Sequence, residues 1–531
     1  MSVIRSASLA LILSTSLTLG ACSPKDKGKS ATKSAAAKML GLTAPGDEVF
    51  ARHFNVPDRN VGESEAEQAL AALGLLNPSK EGLNWAAKDG AAGNYTYNNL
   101  SAESDEGMVT VSAAKLYGAH MDGETASFDR ADFEGVKIYN EDEDVTMTVD
   151  ALSIVRPSPA MAKSIVAALS ELSEIDDLDE SFEDKDMGFG AMALNNVKVE
   201  SPEANGSINS LVWGTDEETK LSDMKLEGLN FKIMPKNEDD YGTMTLKQVS
   251  FTELNTELYK NHFGTTGLSQ NPFGSVGLWG KTFDTFKLEE LDFDSTAFSF
   301  KTKGIEGKAK QKGEVTTIVQ ATEPMIVKIK EPKDTGGSFQ QRQAYEAFAE
   351  LGFDEMVFQS SQTSVMDTGK DLIDVKEGSF TLKDGFDISY NYQFGGADTA
   401  MKTLNAAAGS RNQDAAMDAL KTMTLNGFEL RLEDNSIIDR AFNLAAKMQG
   451  SSAGALRTQA KLGLRLAPLA AQGVEGEMLG AVAGALNEFI DGDKTLSLIM
   501  SPKEPLPLAS LAELKKGSMT FEELGFSAKA E

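Results

Sequence analysis

Cysteine is almost absent from this chain. Its 531 residues include a single one, Cys22, so no disulfide can form within the molecule. Histidine is nearly as scarce. His53, His120 and His262 lie far apart and suggest neither a zinc set nor a histidine relay. There is no complete glycine-rich phosphate loop, no pair of histidines at helical spacing and no calcium-hand spacing, so no cofactor or metal is expected. Positive charge is also in deficit. The chain has 51 Lys and Arg against 80 Asp and Glu, a formal charge of -29. A field of that sign repels DNA, RNA and anionic headgroups, no cluster advertises a local basic face, and nucleic acid is excluded as an expected partner. What the chain does have is a hydrophobic fraction of 41%, ample for real cores. Its length suits about two to four domains.

The N-terminus has its own pattern. Arg5 precedes the apolar run Leu9–Leu13 ("LALIL"), and small residues follow. The run is too short and too rich in serine nearby for a membrane span, and residues 1–21 read as a signal peptide. The end of this segment, Leu19-Gly20-Ala21-Cys22, resembles the lipobox of bacterial lipoproteins. The resemblance implies acylation of the Cys22 thiol, cleavage before it and a membrane as partner through the acyl chains. Each buried CH₂ contributes about 0.8 kcal/mol, so two or three chains hold firmly where one is marginal. The alternative is a plain secretory signal with a chance cysteine. Residues 22–40 have the composition of a flexible tether, with small residues, lysines and a proline. Ser23 is not aspartate. By the sorting rule of enterobacterial lipoproteins, the resemblance implies the outer membrane, with the body facing the periplasm.

Beyond the tether, "ESEAEQALAALGLL" (Glu63–Leu76) places Ala66, Ala69, Leu70 and Leu73 on one helical face. After it the period changes to two. Tyr95 and Tyr97, Val109 and Val111, then Val145, Met147 and Val149 alternate with polar residues, the last series breaking at Asp150 and Ala151. Phe386, Ile388, Tyr390, Tyr392 and Phe394 do the same, as do Phe428, Leu430 and Leu432. Such segments are strands with one apolar face, the antiparallel pattern. A loose unit also recurs: an apolar residue, a polar pair and another apolar residue. "ADFEGVKIY", "MALNNVKVE", "MKLEGLNFKIM", "FKLEELDFDS" and "LNGFELRLED" carry it. It reads as a strand-turn-strand element. Helices are expected in "SPAMAKSIVAALSELSEI", capped by Ser158 with Pro159 in the first turn, and in "QRQAYEAFAELGF". Three more follow near the C-terminus, before a strand at "TLSLIM".

The expected fold is therefore mainly β with α: a long twisted antiparallel sheet, covered in part by short helices and a C-terminal helical cluster, that can curl into a groove or pack on a second sheet. Three body regions are read, at 41–180, 185–335 and 336–531. The phrases "DGETASFDRADFEGVKI" and "FKLEELDFDSTAFSF" resemble the strand units of AsmA-like periplasmic proteins. "LNGFELRLEDNSIIDRAF" and "LSLIMSPKEPLPLASL" are similar to uncharacterised exported proteins of alphaproteobacteria. The first resemblance implies a curved apolar sheet associated with lipid homeostasis of the outer membrane.

Candidates for chemistry are few, and none is nominated as catalytic. "GSSAG" (Gly450–Gly454) has the spacing of a nucleophile elbow around Ser452, but a helix precedes it where a strand is needed, so a linker is expected. Asp142 and Asp144, and Asp292 and Asp294, are paired carboxylates at strand spacing, expected on solvated faces. His120 is read as a satisfied turn histidine. His262, with Phe263, Phe273 and Trp279, is read as part of a core-plugging loop. The aromatic residues lean to Phe, 27 against 9 Tyr and 3 Trp, which suits an apolar core or a lipid-facing surface over a carbohydrate platform. The expected function is a membrane-anchored envelope scaffold or binding protein, with lipids or other envelope proteins as partners. The alternatives are periplasmic binding or transfer of acyl chains, and an envelope hydrolase with an acidic site built from distant loops.

Overall fold

A computed structural model describes residues 42, 46–57, 59–79, 82–104, 107–141, 143–170, 188–233, 241–255, 281–332, 339–407, 421–470, 473–511 and 521–531. Cys22, the signal and tether, Asp142 and the His262 loop lie outside these residues. The chain forms two compact units, Met1–Thr256 and Glu257–Glu531. The region read as 185–335 contributes strands to both.

The first unit is built on an antiparallel meander. Strands β1 (Ala87–Ala91), β2 (Asn94–Ser104) and β3 (Gly107–Tyr117) are followed by a small separate hairpin, β4 (His120–Asp122) and β5 (Thr125–Ser127). The sheet then continues through β6 (Arg130–Asn140), β7 (Val145–Val155), β8 (Ala191–Glu200), β9 (Ala204–Thr215), β10 (Leu221–Ile233) and β11 (Gly242–Asn255). Each strand of the sheet pairs antiparallel with the one before it in the series. Successive hairpins need only local contacts, which is why alternation was readable strand by strand.

One face of this sheet is covered along most of its length and the other over part of β7 to β9. The first is sealed by α2 (Glu63–Ala72) and α3 (Pro159–Ser170), whose Ala66, Ala69, Leu70, Ala162 and Val166 join Tyr95, Tyr97, Val109 and Val111 in one core. Burying a leucine of this kind contributes about 1.5–3 kcal/mol. Helix α2 stops before Leu76. Gly74 turns left-handed (φ 73°), its N–H bonding to the Ala71 carbonyl and that of Leu75 to the Leu70 carbonyl, a Schellman ending that turns Leu75 into the core. Helix α3 starts as expected, with the Met161 N–H donating to Ser158 Oγ at 3.2 Å. The opposite face is covered in part by the preceding segment, α1 (Glu48–Ala51) with the 3₁₀ turn Arg52–Phe54. Phe50 and Phe54 pack there on Ala151, Val155, Ala193 and Val212.

In the five segments quoted the recurring apolar–polar pair–apolar unit is not a turn. Its polar pair lies inside a strand. Asn99 (φ 52°), Gly135 (φ 61°), Asn196 (φ 49°) and Gly228 (φ 64°) are left-handed residues within β2, β6, β8 and β10. Ser112 and Asn209 face Gly135 and Gly228 from the intervening strands, and Asn196 Nδ2 donates to Asp150 Oδ2 at 2.9 Å. Along this row the alternation slips by one. The core takes Tyr97 then Leu100, Val111 then Ala114, Phe133 then Val136, Val149 then Leu152, and Leu194 then Val197. Neighbouring strands slip together, so register is kept on both sides. The break seen at Asp150–Ala151 is this row, and β7 runs through it. Asn and Gly are the residues that tolerate such a backbone.

The second unit repeats the scheme. Its strands are β12 (Thr285–Ser295), β13 (Phe298–Lys312), β14 (Val315–Thr322), β15 (Met325–Ile329), β16 (Met356–Asp367), β17 (Leu372–Leu382), β18 (Phe386–Gly395), β19 (Thr424–Asp434), β20 (Thr495–Met500), β21 (Leu506–Pro507) and β22 (Phe526–Ala530), all paired antiparallel. Strands β14 and β15 lie end to end on β13 in one register, interrupted at Glu323 and Pro324. The Glu323 N–H still reaches the Gly304 carbonyl, while Pro324 has no N–H to offer. Left-handed Glu290 and Glu377 sit within β12 and β17, as left-handed Glu253 does within β11 of the first unit.

The helices of this unit are α4 (Phe339–Glu350), α5 (Ala397–Ala407) and the cluster α6 (Ile437–Gln449), α7 (Ala453–Leu466) and α8 (Gly473–Phe489), which fills the connection from β19 to β20. Ala485 and Phe489 of α8 pack on Leu496, and Phe348 of α4 packs with Phe353 and Leu382. The fold is thus α+β, with large antiparallel sheets decorated by helices, as the periodicities predicted. Among the described residues, no helix is long and apolar enough to cross a membrane.

Candidate functional site

The residues singled out from sequence do not converge. Ser452 is the N-cap of α7, its Oγ accepting from the Ala455 N–H at 3.2 Å, with helix α6 and left-handed Gly450 before it. It is a linker serine. Asp292 and Asp294 share the solvated face of β12 and are paired with Lys301 at 2.8 Å and Lys330 at 2.7 Å. Asp144 sits in the turn before β7, and His120 Nδ1 donates to the Gly118 carbonyl at 2.7 Å. Among the described residues, no three His, Cys, Asp or Glu side chains gather as a metal ion requires.

His53 does find partners, and spacing along the chain could not reveal them. Asp223 of β10 is 0% exposed. One oxygen accepts from Arg52 Nη2 and His53 Nε2, both at 2.7 Å, and the other accepts from the Glu253 N–H at 2.9 Å. Burial works to raise the Asp223 carboxyl. The hydrogen bonds from His53 and the Glu253 amide, with the nearby positive charge, outweigh it and hold the group below the usual carboxylate range. Beside it, buried Lys225 bridges Asp47 at 2.6 Å and Glu227 at 2.9 Å. Burial alone would lower that ammonium, but the two carboxylates raise it. Gly214 lies under the His53 ring; a Cβ there would stand 2.2 Å from it. Both oxygens of Asp223 are thus engaged by donors, and the cluster pins the segment around α1 onto β10.

A surface of a different kind lies on the second sheet. Alternation and register place Phe358, Phe380, Phe386, Ile388, Tyr390, Tyr392, Phe394, Phe428 and Leu430 on one face of β16 to β19. Phe358 stacks on Phe380 at 5.7 Å and Phe380 meets Phe386 at 5.9 Å. Tyr390, Tyr392 and Phe394 form a second row, with centroids 6.3 and 5.3 Å apart. Gly378 makes room for Tyr390, whose ring would be 2.3 Å from a Cβ there, and the Tyr390 hydroxyl donates to Gln362 Oε1 at 3.1 Å. Burial raises both tyrosine hydroxyls. Yet every one of these aromatic residues remains only half-buried. Helices cover both ends of this face: Phe358 and Phe386 pack with Phe348 and Phe353, and Phe394 and Phe428 with Met478 and Leu524. Between them Phe380, Tyr390 and Tyr392 hold rigid rings partly open to solvent, with polar tips on the tyrosines.

Residues 379–531, which include β18, β19 and the C-terminal helices, match a family model described only as "Uncharacterized protein". No curated protein matches the chain.

Proposed function

We propose that this protein is a scaffold or binding protein of the bacterial cell envelope, held at a membrane by acyl chains on Cys22. The observation that carries the binding role is the middle of the aromatic face of β16 to β19, around Phe380, Tyr390 and Tyr392. A sheet in which strands are tied to their neighbours is a stiff platform, and its half-buried rings present contact area whose conformational entropy has already been lost in folding. The lipobox-like sequence supports the location. Ser23 supports an outer-membrane address with the body in the periplasm. Replacing Cys22 by Ser tests the anchor: the variant is expected in the soluble fraction of cells in which the parent sediments with membranes. A processed variant still sedimenting as the parent does would sink it.

The same rows favour a second reading, in which the bound partner is an acyl chain. Burial of such a chain against Tyr390 and Tyr392 would be driven by the hydrophobic effect. Native mass spectrometry with lipid extraction separates the two. Co-purifying lipid that disappears in Tyr392→Asp supports the carrier; lipid-free protein that takes none up on incubation leaves the scaffold.

A further inference from the structure

The C-terminal helical cluster contains a stretch of sequence whose own charge is opposite to that of the whole chain. From Arg440 to Val474 the sequence has no aspartate or glutamate, the longest acid-free stretch in a chain with 80 acidic residues. The stretch carries Arg440, Lys447, Arg457, Lys461 and Arg465 and forms the greater part of α6 and all of α7. Helix α7 has no buried residue. Its half-buried side is Leu456, Arg457, Ala460, Lys461 and Leu464, and its outward side is Ala455, Gln459, Leu462, Arg465 and Leu466. Leucines therefore occupy both sides of the helix. Leu462 is 59% exposed and Leu466 54%, while Met448 at the end of α6 is 78% exposed.

We infer that α7, with the end of α6, is an interfacial element that docks on an anionic lipid surface. Leu462 and Leu466, one turn apart, enter the boundary between headgroups and acyl chains. Arg465 and Lys447 meet the headgroup phosphates. A short amphipathic helix with a basic polar side and outward leucines is the form such elements take. Lys447, Arg457 and Lys461 are paired with Glu350, Asp439 and Asp491, acids that lie outside the stretch. Lys447 is 65% exposed in its pair, so headgroups can compete for it. The net charge of -29 does not forbid the contact, because fields are screened within about 8 Å at physiological ionic strength and the local sign governs. A second copy of the chain fits this face less well. A two-fold contact would bring Arg465 and its neighbours against their own copies, and like charges at close range oppose association. The inference does not need the Cys22 anchor and stands if that reading fails.

The experiment uses the full chain with Cys22→Ser, which has no other thiol, so that Leu462→Cys accepts a single polarity-sensitive dye. Vesicles of phosphatidylglycerol with phosphatidylcholine are expected to shift the dye emission to the blue, and added salt to reverse the shift. Phosphatidylcholine vesicles are expected to leave it unchanged. No shift with either vesicle, or an equal shift with both, would overturn the proposal. In a second arm, Leu462→Asp with Leu466→Asp is compared with the Cys22→Ser parent by vesicle sedimentation. Segments 1–21 and 22–40 are common to both chains, so the difference isolates α7. A loss of about tenfold in affinity is expected, and unchanged affinity would overturn the proposal. Sedimentation velocity without vesicles completes the test. A dimer in the parent that is absent from the double variant would assign the face to self-association and overturn lipid docking; a parent that stays monomeric while binding vesicles supports it.

Discussion

The two units obey one pairing rule and bury their sheets to different depths. In the first, α2 and α3 close one face and the segment around α1 covers part of the other. Tyr97, at 1% exposure, is inside with its hydroxyl donating to the Leu75 carbonyl at 2.9 Å. In the second, the matching aromatic rows on β16 to β19 stay half-buried. Left-handed residues occur within the strands of both units: Asn99, Gly135, Asn196, Gly228 and Glu253 in the first, Glu290 and Glu377 in the second. The first sheet buries its rings fully on the face under α2 and α3, and the second holds its rings partly open to solvent.

The sharpest way to break the comparison is at the pin. Asp223→Ala leaves the His53 ring buried without its acceptor and is expected to cost about 3–5 kcal/mol, the range for breaking a buried pair. Urea unfolding followed by limited proteolysis should show the loss within residues 46–255 while fragments of the second unit persist. Equal loss in both units would mean that they do not unfold separately. Tyr97→Ala comes next, at about 3–4 kcal/mol for a fully buried aromatic ring. The matched change Tyr392→Ala should cost about 1–2 kcal/mol, because its ring keeps solvent contact. Equal costs, read from urea midpoints, would show that the second face is as sealed as the first.

The left-handed row supplies a smaller, opposed pair. Gly228→Ala forces an L-residue into φ 64° and presses its Cβ to 2.1 Å from Asn209 Nδ2, with an expected loss of about 1–2 kcal/mol. Glu377→Gly relieves a left-handed glutamate (φ 53°), and a gain of up to about 1 kcal/mol is expected. Matching signs in thermal melts would contradict the contrast. The pH dependence gives the finest test. The Asp223 carboxyl lies below its ordinary value in the folded chain, so its contribution is full above the unfolded carboxylate pKa and is lost as pH falls through the folded one. Stability of the parent should therefore fall more steeply on the acid side than that of Asp223→Ala. Parallel slopes would remove the carboxylate from the account.

Much of the fold was legible in the sequence because hairpin-by-hairpin pairing is local. Alternation at Tyr95 and Tyr97, at Val109 and Val111 and at Phe386 to Phe394 names strands and faces without reference to distant residues. The helical face Ala66, Ala69, Leu70 and Leu73 is equally local, and so is the Ser158 cap. The polar pairs were visible too, but a pair such as Glu134-Gly135 reads as a turn until its neighbours are known. Only when Ser112 and Asp150 line up beside Gly135 does the pair become a slip in mid-strand. His53 was set aside because its acceptor, Asp223, is 170 residues away.

By itself, the sequence determined the α+β class, the strand faces, the absence of internal disulfides and the expectation of an acylated Cys22. These rest on residue type and on periods of a few residues, which act over the same short range as the backbone geometry they specify. The tertiary structure alone decided how deeply each apolar face is buried, that Asp223 gathers Arg52 and His53, and that Leu462 and Leu466 of α7 point outward beside Arg465. Burial and charge environment depend on what packs from elsewhere in the chain, and no local pattern contains that information.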